Sequence, residues 1–461
     1  MTNLFGTSGI RGILGRDYTF FDVLKIVHSI AKHFDYSPIV IGWDCRIHSK
    51  PMALASAAFL QVYGIDVSIA GVISTPSLQK FLREEGDRPG IMFTASHNPP
   101  EYFGIKVFNK DGVEIYGESE RDITRIYQNL ELPEVDWGLS KNRFNDITED
   151  IITTYIDSID EYSELTKLDT DNIIVGVDYA NCAAISTAGR YLTSKGFKLI
   201  NVNNNLDGRF PGRMPEPNME TLKNTLSILK NKIDIGVAFD GDADRGLIFD
   251  GEGNIYWGDH IGALTALYLQ NELSIDSIVT PISTSYRLMK YLEDNGFEII
   301  YTPVGAKHIV KEMITNGCQY GFEENGGLVY YPHIPGRDGL LTFLLTLSII
   351  SKTGRMMKNL IKELPSTHTV KRKVRIKGDK LRIMEEIRAD ILNKMSANTC
   401  TTLSIDGVKI ICEDYSILVR PSGTEPLIRI FVEHDDPIIA EKLAIEIIDK
   451  ILEIDKRLTY L

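Results

Sequence analysis

The sequence predicts an α/β chain built from three similar α/β mixed-sheet domains and a smaller C-terminal α+β domain. Three observations carry this. At 461 residues the chain is too long for one hydrophobic core, so three or four domains are expected. Its first 140 residues alternate strand and helix patterns, which argues for α/β units with parallel pairing. Three apolar runs also end in aspartate: PIVIGWD (Pro38–Asp44), NIIVGVDYAN (Asn172–Asn181) and IDIGVAFDGDADR (Ile233–Arg245). They hint at a repeated unit.

Taken in order, PIVIGWD is a compact, buried type of strand, and KPMALASAAFLQVYG (Lys50–Gly64) is a helix closed by glycine. DVSIAG (Asp66–Gly71) returns as a strand. Ile91-Met92-Phe93 is another, and it runs into TASHNPP (Thr94–Pro100), where the proline pair breaks regular structure. The polar stretch PEVDWGLSKNRFNDITED (Pro133–Asp150) marks a boundary. A third α/β region holds IVTPISTS (Ile278–Ser285) and EIIYTPVGAKH (Glu298–His308). Its LLTFLLTLSII (Leu340–Ile350) is far short of a membrane span and suits a buried helix. At HTVKRKVRIKGDK (His368–Lys380) the chain turns basic and β-branched, opening the α+β unit of two strand regions and the helix DPIIAEKLAIEIIDKILEI. The expected domains are 1–148, 149–253, 254–366 and 367–461.

Composition is that of an ordinary globular protein, 43% hydrophobic and 25% charged. A net charge of −13 argues against nucleic-acid or anionic-membrane partners. Small anions remain possible where basic residues converge. The five cysteines, at 45, 182, 318, 400 and 412, lack Cys-x-x-Cys spacing and leave one over, so reduced thiols are expected. MTNLFGTSGIRG contains no apolar signal region, and a cytoplasmic location is expected.

Asp240-Gly-Asp242-Ala-Asp244-Arg245 is the sharpest chemical feature. Three alternate carboxylates after an apolar strand repel one another unless a cation neutralises them, and Mg²⁺ is the natural choice beside phosphate. An EF-hand would need glycine and glutamate where Arg245 and Gly251 stand. The plain alternative is a solvated acidic turn. Arg420-Pro-Ser422-Gly423-Thr424, with Arg429 nine residues on from Arg420, offers hydroxyls, backbone N–H groups and guanidinium forks to an anion; a β-turn explains the same residues. In the loop from Gly321 to Gly327, Glu323, Glu324 and Asn325 suit sugar hydroxyls, although a helix-terminating loop would look alike. Ser96 sits on an irregular loop leaving a rigid strand, where reactive side chains are found. The plain alternative is a capping turn. Lys106, ten residues beyond Ser96, is placed to reach back as a base or a charge clamp. There is no Walker-type Gly-Lys loop, Gly-x-Ser-x-Gly elbow or His-Glu-x-x-His helix.

In this order the serine, triple-aspartate, Glu-x-(polar)-Gly and phosphate loops resemble the α-D-phosphohexomutase family, and FGTSGIRG (Phe5–Gly12) resembles its opening segment. The resemblance implies that Ser96 is carried as phosphoserine, with Asp240, Asp242, Asp244 and the Ser96 phosphate holding Mg²⁺. It implies roles around the reacting phosphoryl group and proton transfer for Arg11, Lys106 and Arg245. Glu323 and Asn325 match its sugar loop; Arg420, Ser422, Gly423, Thr424 and Arg429 match its site for the phosphate not in transfer. The expected reaction interconverts hexose 1-phosphate and hexose 6-phosphate through a hexose 1,6-bisphosphate, which also serves as activator. Glucose and mannose phosphates are expected first and glucosamine phosphate second. A sugar phosphatase and a non-catalytic sugar-phosphate sensor are the alternatives from other classes. Both a monomer and a homodimer remain open. The chain departs from the family pattern at Phe103, Ala306, Asn325 and Gly327.

Overall fold

The computed structural model describes residues 4–132, 134–135, 143–163, 173–366, 368–395, 400–422 and 426–459. Four sheets follow one another along the chain. The first has the order β1 (Ile10–Ile13), β5 (Tyr102–Phe108), β4 (Gly90–Phe93), β2 (Ile39–Trp43), β3 (Val67–Val72), β6 (Phe144–Asp146). β2 pairs in parallel with β3 and β4, while β5 runs antiparallel to β1 and β4, so the sheet is mixed. Helices Phe20–His33, Ser49–Val62 and Thr75–Glu85 connect its strands. Thr19 caps the first of these through a capping box with Asp22.

The second sheet orders β11 (Ile255–Tyr256), β10 (Gly246–Asp250), β9 (Ile235–Phe239), β7 (Ile174–Asp178), β8 (Lys198–Val202). The third orders β13 (Glu298–Thr302), β12 (Ser277–Pro281), β14 (Tyr320–Phe322), β15 (Leu328–Tyr330), β16 (Arg337–Asp338). Both are mixed. The fourth, β17 (His368–Arg375), β21 (Leu427–His434), β20 (Tyr415–Pro421), β19 (Val408–Ile411), β18 (Thr401–Leu403), is wholly antiparallel. It packs against the helix Pro437–Thr459.

The second and third units share one core, in which Val177 and Val237 join Leu264, Ile278 and Leu344. The apolar run at Leu340 forms the helix Gly339–Thr353, capped by Asp338 and closed by left-handed Gly354. Its buried leucines and phenylalanine each contribute about 1.5–3 kcal/mol by leaving water. No single helix among the described residues is long and apolar enough to cross a membrane.

The fourth unit has its own core and docks through polar groups. The buried Lys409 ammonium donates to the carbonyls of Ile282 and Thr284 at 2.8 and 2.7 Å, and the Tyr286 N–H donates to Glu433 Oε2 at 2.9 Å. The cysteines correct the sequence expectation. Cys45 pairs with Cys182 and Cys400 with Cys412, leaving Cys318 as a buried thiol. The first pair is separated by 137 residues and is brought together only where the first and second units meet, which chain spacing hides.

Candidate active site

Ser96 lies where β4 ends, with φ of 51°, a left-handed conformation that non-glycine residues adopt at a cost of roughly 1–2 kcal/mol. Buried hydrogen bonds hold it there. Its N–H donates to Thr94 Oγ1 at 2.8 Å, and its carbonyl accepts from Arg46 at 2.6 Å. The same guanidinium also donates to the carbonyls of Asn98 and Pro99, both at 2.6 Å, and pairs with Asp44 at 3.1 Å. The Asn-Pro-Pro turn is thus gripped from below by one fully buried arginine.

The serine hydroxyl faces the second unit. Ser96 Oγ donates to Asp240 Oδ2 at 2.9 Å and lies 3.3 Å from His97 Nδ1. Gly241 permits this approach, because a Cβ there would sit 2.6 Å from the Ser96 carbonyl oxygen. Burial, with the positive charges of Arg245 and Arg11 adding to it, holds the His97 imidazole well below its ordinary range, so the ring is neutral.

Asp240, Asp242 and Asp244 are buried, with one oxygen from each lying within 4.8 Å of the others. Burial and the charges of Asp244 and Asp242 push Asp240 up to about 8. Asp242 Oδ2 accepts from Thr75 Oγ1 and from the Lys106 ammonium, both at 2.6 Å. Asp244 Oδ2 accepts from Lys106 at 3.0 Å and Arg337 at 2.8 Å. Burial opposes ionisation of Asp244, but Arg337, Lys106 and Arg245 outweigh it and hold the carboxyl well below the usual range. Oδ1 of both Asp242 and Asp244 is buried without a hydrogen-bond partner. Converging, orphaned carboxylate oxygens are the donor set of a hard divalent cation, so the residues fit Mg²⁺.

Burial would lower Lys106, yet Asp242 and Asp244 raise it overall, so it is an ammonium here. Arg245 lies 3.9 Å from Asp240 and 4.0 Å from Asp244, and Arg11 donates to Asn98 Oδ1 at 2.5 Å. Arg245 thus lies against the aspartate loop and Arg11 against the serine loop.

The sugar-loop residues separate. Glu323 is buried, accepting from Arg337 at 2.7 Å and from the Gly305 N–H at 3.0 Å. Asn325 is exposed in a cleft of about 320 Å³ shared with Glu216, Arg245, Trp257 and Lys371. Gly327 seats the loop on the aspartate loop: a Cβ there would meet the Asp244 carbonyl oxygen at 2.4 Å. Phe103, a departure from the family pattern, fills the core beside Phe93.

A second cleft, of about 470 Å³, lies where the first, third and fourth units meet. Arg420, Ser422, Lys380, Lys307 and His308 line it. Arg420 pairs with Asp406 at 2.7 Å, and Arg429 stands directly opposite it across β20 and β21. Gly423 and Thr424 lie outside the described residues. Lys307 also borders a small cavity lined by Lys106, Asp244 and Arg337, so the basic cleft and the acidic cluster are neighbours. Arg46, Thr75, His97 and Arg337 were not singled out from sequence; only the Asp-x-Arg at Asp44 offered a signal.

Models of four successive domains described as phosphoglucomutase/phosphomannomutase match the chain: domain I at 2–134, II at 153–253, III at 257–368 and the C-terminal domain at 370–450. The chain belongs to this family. A phosphoglucosamine/phosphogalactosamine mutase of Sulfurisphaera tokodaii is 36% identical over 98% of this chain and 100% of its own. A phosphoglucomutase/phosphomannomutase of Thermococcus kodakarensis is 35% identical over 94% of this chain and 95% of its own. The crystal structure of a phosphoglucomutase/phosphomannomutase family protein from Burkholderia thailandensis shares the fold, with a TM-score of 0.82 at 22% identity over 98% of each chain. This family member is accordingly an intramolecular phosphotransferase, a phosphomutase of the phosphohexomutase type.

Proposed function

We propose that the chain interconverts hexose 1-phosphate and hexose 6-phosphate through phosphoserine at Ser96, with a hexose 1,6-bisphosphate as intermediate and activator. The observation that carries this is the Ser96 hydroxyl, held at left-handed φ and 2.9 Å from Asp240 in a three-carboxylate cluster. In the first half-reaction the Ser96 Oγ–P bond breaks as a hexose hydroxyl forms the new O–P bond, and the proton that hydroxyl loses goes to the departing Ser96 Oγ. The reverse transfer then takes the other phosphate back to Ser96. Arg11, Arg245 and Lys106 place positive charge around the transferred group, and phosphoryl transfer depends on such positioning and neutralisation. Mg²⁺ held by Asp240, Asp242 and Asp244 would supply further neutralisation. Arg420, Ser422 and Arg429, with Gly423 and Thr424, are proposed to hold the phosphate that is not moving, and Glu323 and Asn325 to read sugar hydroxyls.

Glucose and mannose phosphates are the first substrates proposed. Glucosamine phosphate is the second reading, favoured by a full-length relative whose name carries that sugar. Phosphorus NMR with Mg²⁺ and a trace of glucose 1,6-bisphosphate separates them. Each 1-phosphate is supplied alone, and growth of a 6-phosphate signal ranks the sugars. Free phosphate outpacing any 6-phosphate would replace the mutase with a phosphatase. Tight binding without turnover would leave a sensor.

A further inference from the structure

Arg337 is used by none of the roles above, yet it touches two of them. Its Nη1 donates to Glu323 Oε2 at 2.7 Å and its Nη2 to Asp244 Oδ2 at 2.8 Å. The second Glu323 oxygen is taken by the Gly305 N–H, so the carboxylate is held at both ends in one orientation. The arginine is itself anchored. Its strand pairs with β15 at Val329, and the next residue, Asp338, caps the buried helix Gly339–Thr353. Asp338 also accepts from the Tyr155 hydroxyl at 2.8 Å.

We propose that Arg337 is a positioning residue for sugar recognition, its single fork tying Glu323 of the sugar loop to Asp244 of the metal-holding loop. The proposal rests on the mutase reading, which places Glu323 at the sugar. Two consequences have opposite signs. Without Arg337, Glu323 loses its orientation and the sugar binds less well. Asp244 at the same time loses a competing cation, so a divalent ion binds as well as before or better. A residue that merely supported the fold would weaken both together. Lysine keeps the charge but cannot offer two planar donors to two carboxylates, so Arg337→Lys should fall between wild type and Arg337→Met.

The test uses the full chain, wild type beside Arg337→Met, Arg337→Lys, Glu323→Gln and the Arg337→Met/Glu323→Gln pair. Calorimetry with MgCl₂ alone reads the metal side; KM and kcat for glucose 1-phosphate and glucosamine 1-phosphate read the sugar side. Arg337→Met should raise KM about tenfold or more with a smaller change in kcat, as expected for a lost binding interaction. Mg²⁺ affinity should hold or rise, and the double variant should be no worse than Glu323→Gln. Mg²⁺ binding that weakens along with the sugar would overturn the proposal, as would multiplicative losses in the double variant. Arg337→Lys carries the same comparison if Arg337→Met does not fold. Absence of wild-type turnover on either sugar would count against the mutase reading. The sign of the Mg²⁺ change would then decide the metal half of the proposal separately.

Discussion

Arg46 donates to the Ser96 carbonyl at 2.6 Å, and the Thr94 hydroxyl that accepts from the Ser96 N–H itself donates to Asp44 at 2.7 Å. Both backbone groups of the serine are therefore tied to one buried ion pair. Arg46→Lys should keep the charge but lose most of the carbonyl contacts. Misplacing a reacting group by about 1 Å can cost about a hundredfold, and a kcat loss of that order is expected. Steady-state kinetics beside a thermal melt check it. A full loss of folding in this variant would mean that the clamp supports the whole unit and not the loop alone.

Metal removal should destabilise the fold. Three buried carboxylates, two of them with an orphaned oxygen, are better satisfied around a divalent cation than without one. Mg²⁺ at a hundred times its Kd should add about 2.7 kcal/mol by mass action, seen as a rise in Tm that EDTA reverses. Asp242→Asn should lose that rise. An equal shift in the variant would place the ion elsewhere.

The Cys45–Cys182 pair predicts sensitivity to reductant. It closes a loop with a sequence separation of 137, and the chain-entropy model assigns loops of this size about 4–5 kcal/mol. Non-reducing peptide mapping should find the linked peptides, and tris(carboxyethyl)phosphine should lower Tm. Free thiols at both positions in the native protein would restore the expectation drawn from sequence.

Lys409 makes a pH prediction. Burial pushes its ammonium down to about 8, with Glu433 acting the other way. A lysine depressed in the folded state binds fewer protons there than when unfolded. The penalty is thus fully present below pH 8 and is relieved as pH rises towards 10.5. The stability of wild type relative to Lys409→Met should therefore grow between pH 8 and 10.5, by up to about 3 kcal/mol. A flat difference across that window would show that the docked ammonium keeps an ordinary pKa.

The local pattern of the chain already showed strands such as β2, β4 and β9, the buried helix at Leu340 and the aspartate loop, because each is written in consecutive residues. Of the three strands ending in aspartate, however, only Asp240 joins the acidic cluster. Asp44 and Asp178 instead hold buried Arg46 and Arg213, each of which grips backbone carbonyls. Nothing in the repeated pattern separates these roles, since they depend on what the next unit brings near. Arg337 was illegible for the same reason. It meets Asp244 from 93 residues away, on a strand of two residues too short to carry a periodic signal. Glu323 and Asn325 look equivalent in sequence, yet one is locked by Arg337 and the other faces a cleft.

The most direct test of the central claim is the position and fate of the phosphoryl group. The purified protein is charged with glucose 1,6-bisphosphate, mapped by peptide mass spectrometry, and then mixed with glucose 1-phosphate and glucosamine 1-phosphate in separate reactions. Phosphate on Ser96 alone, discharged to a hexose as bisphosphate and absent from Ser96→Ala, is the predicted result. Isomerisation that persists in Ser96→Ala, or a phosphate carried by another residue, would contradict it.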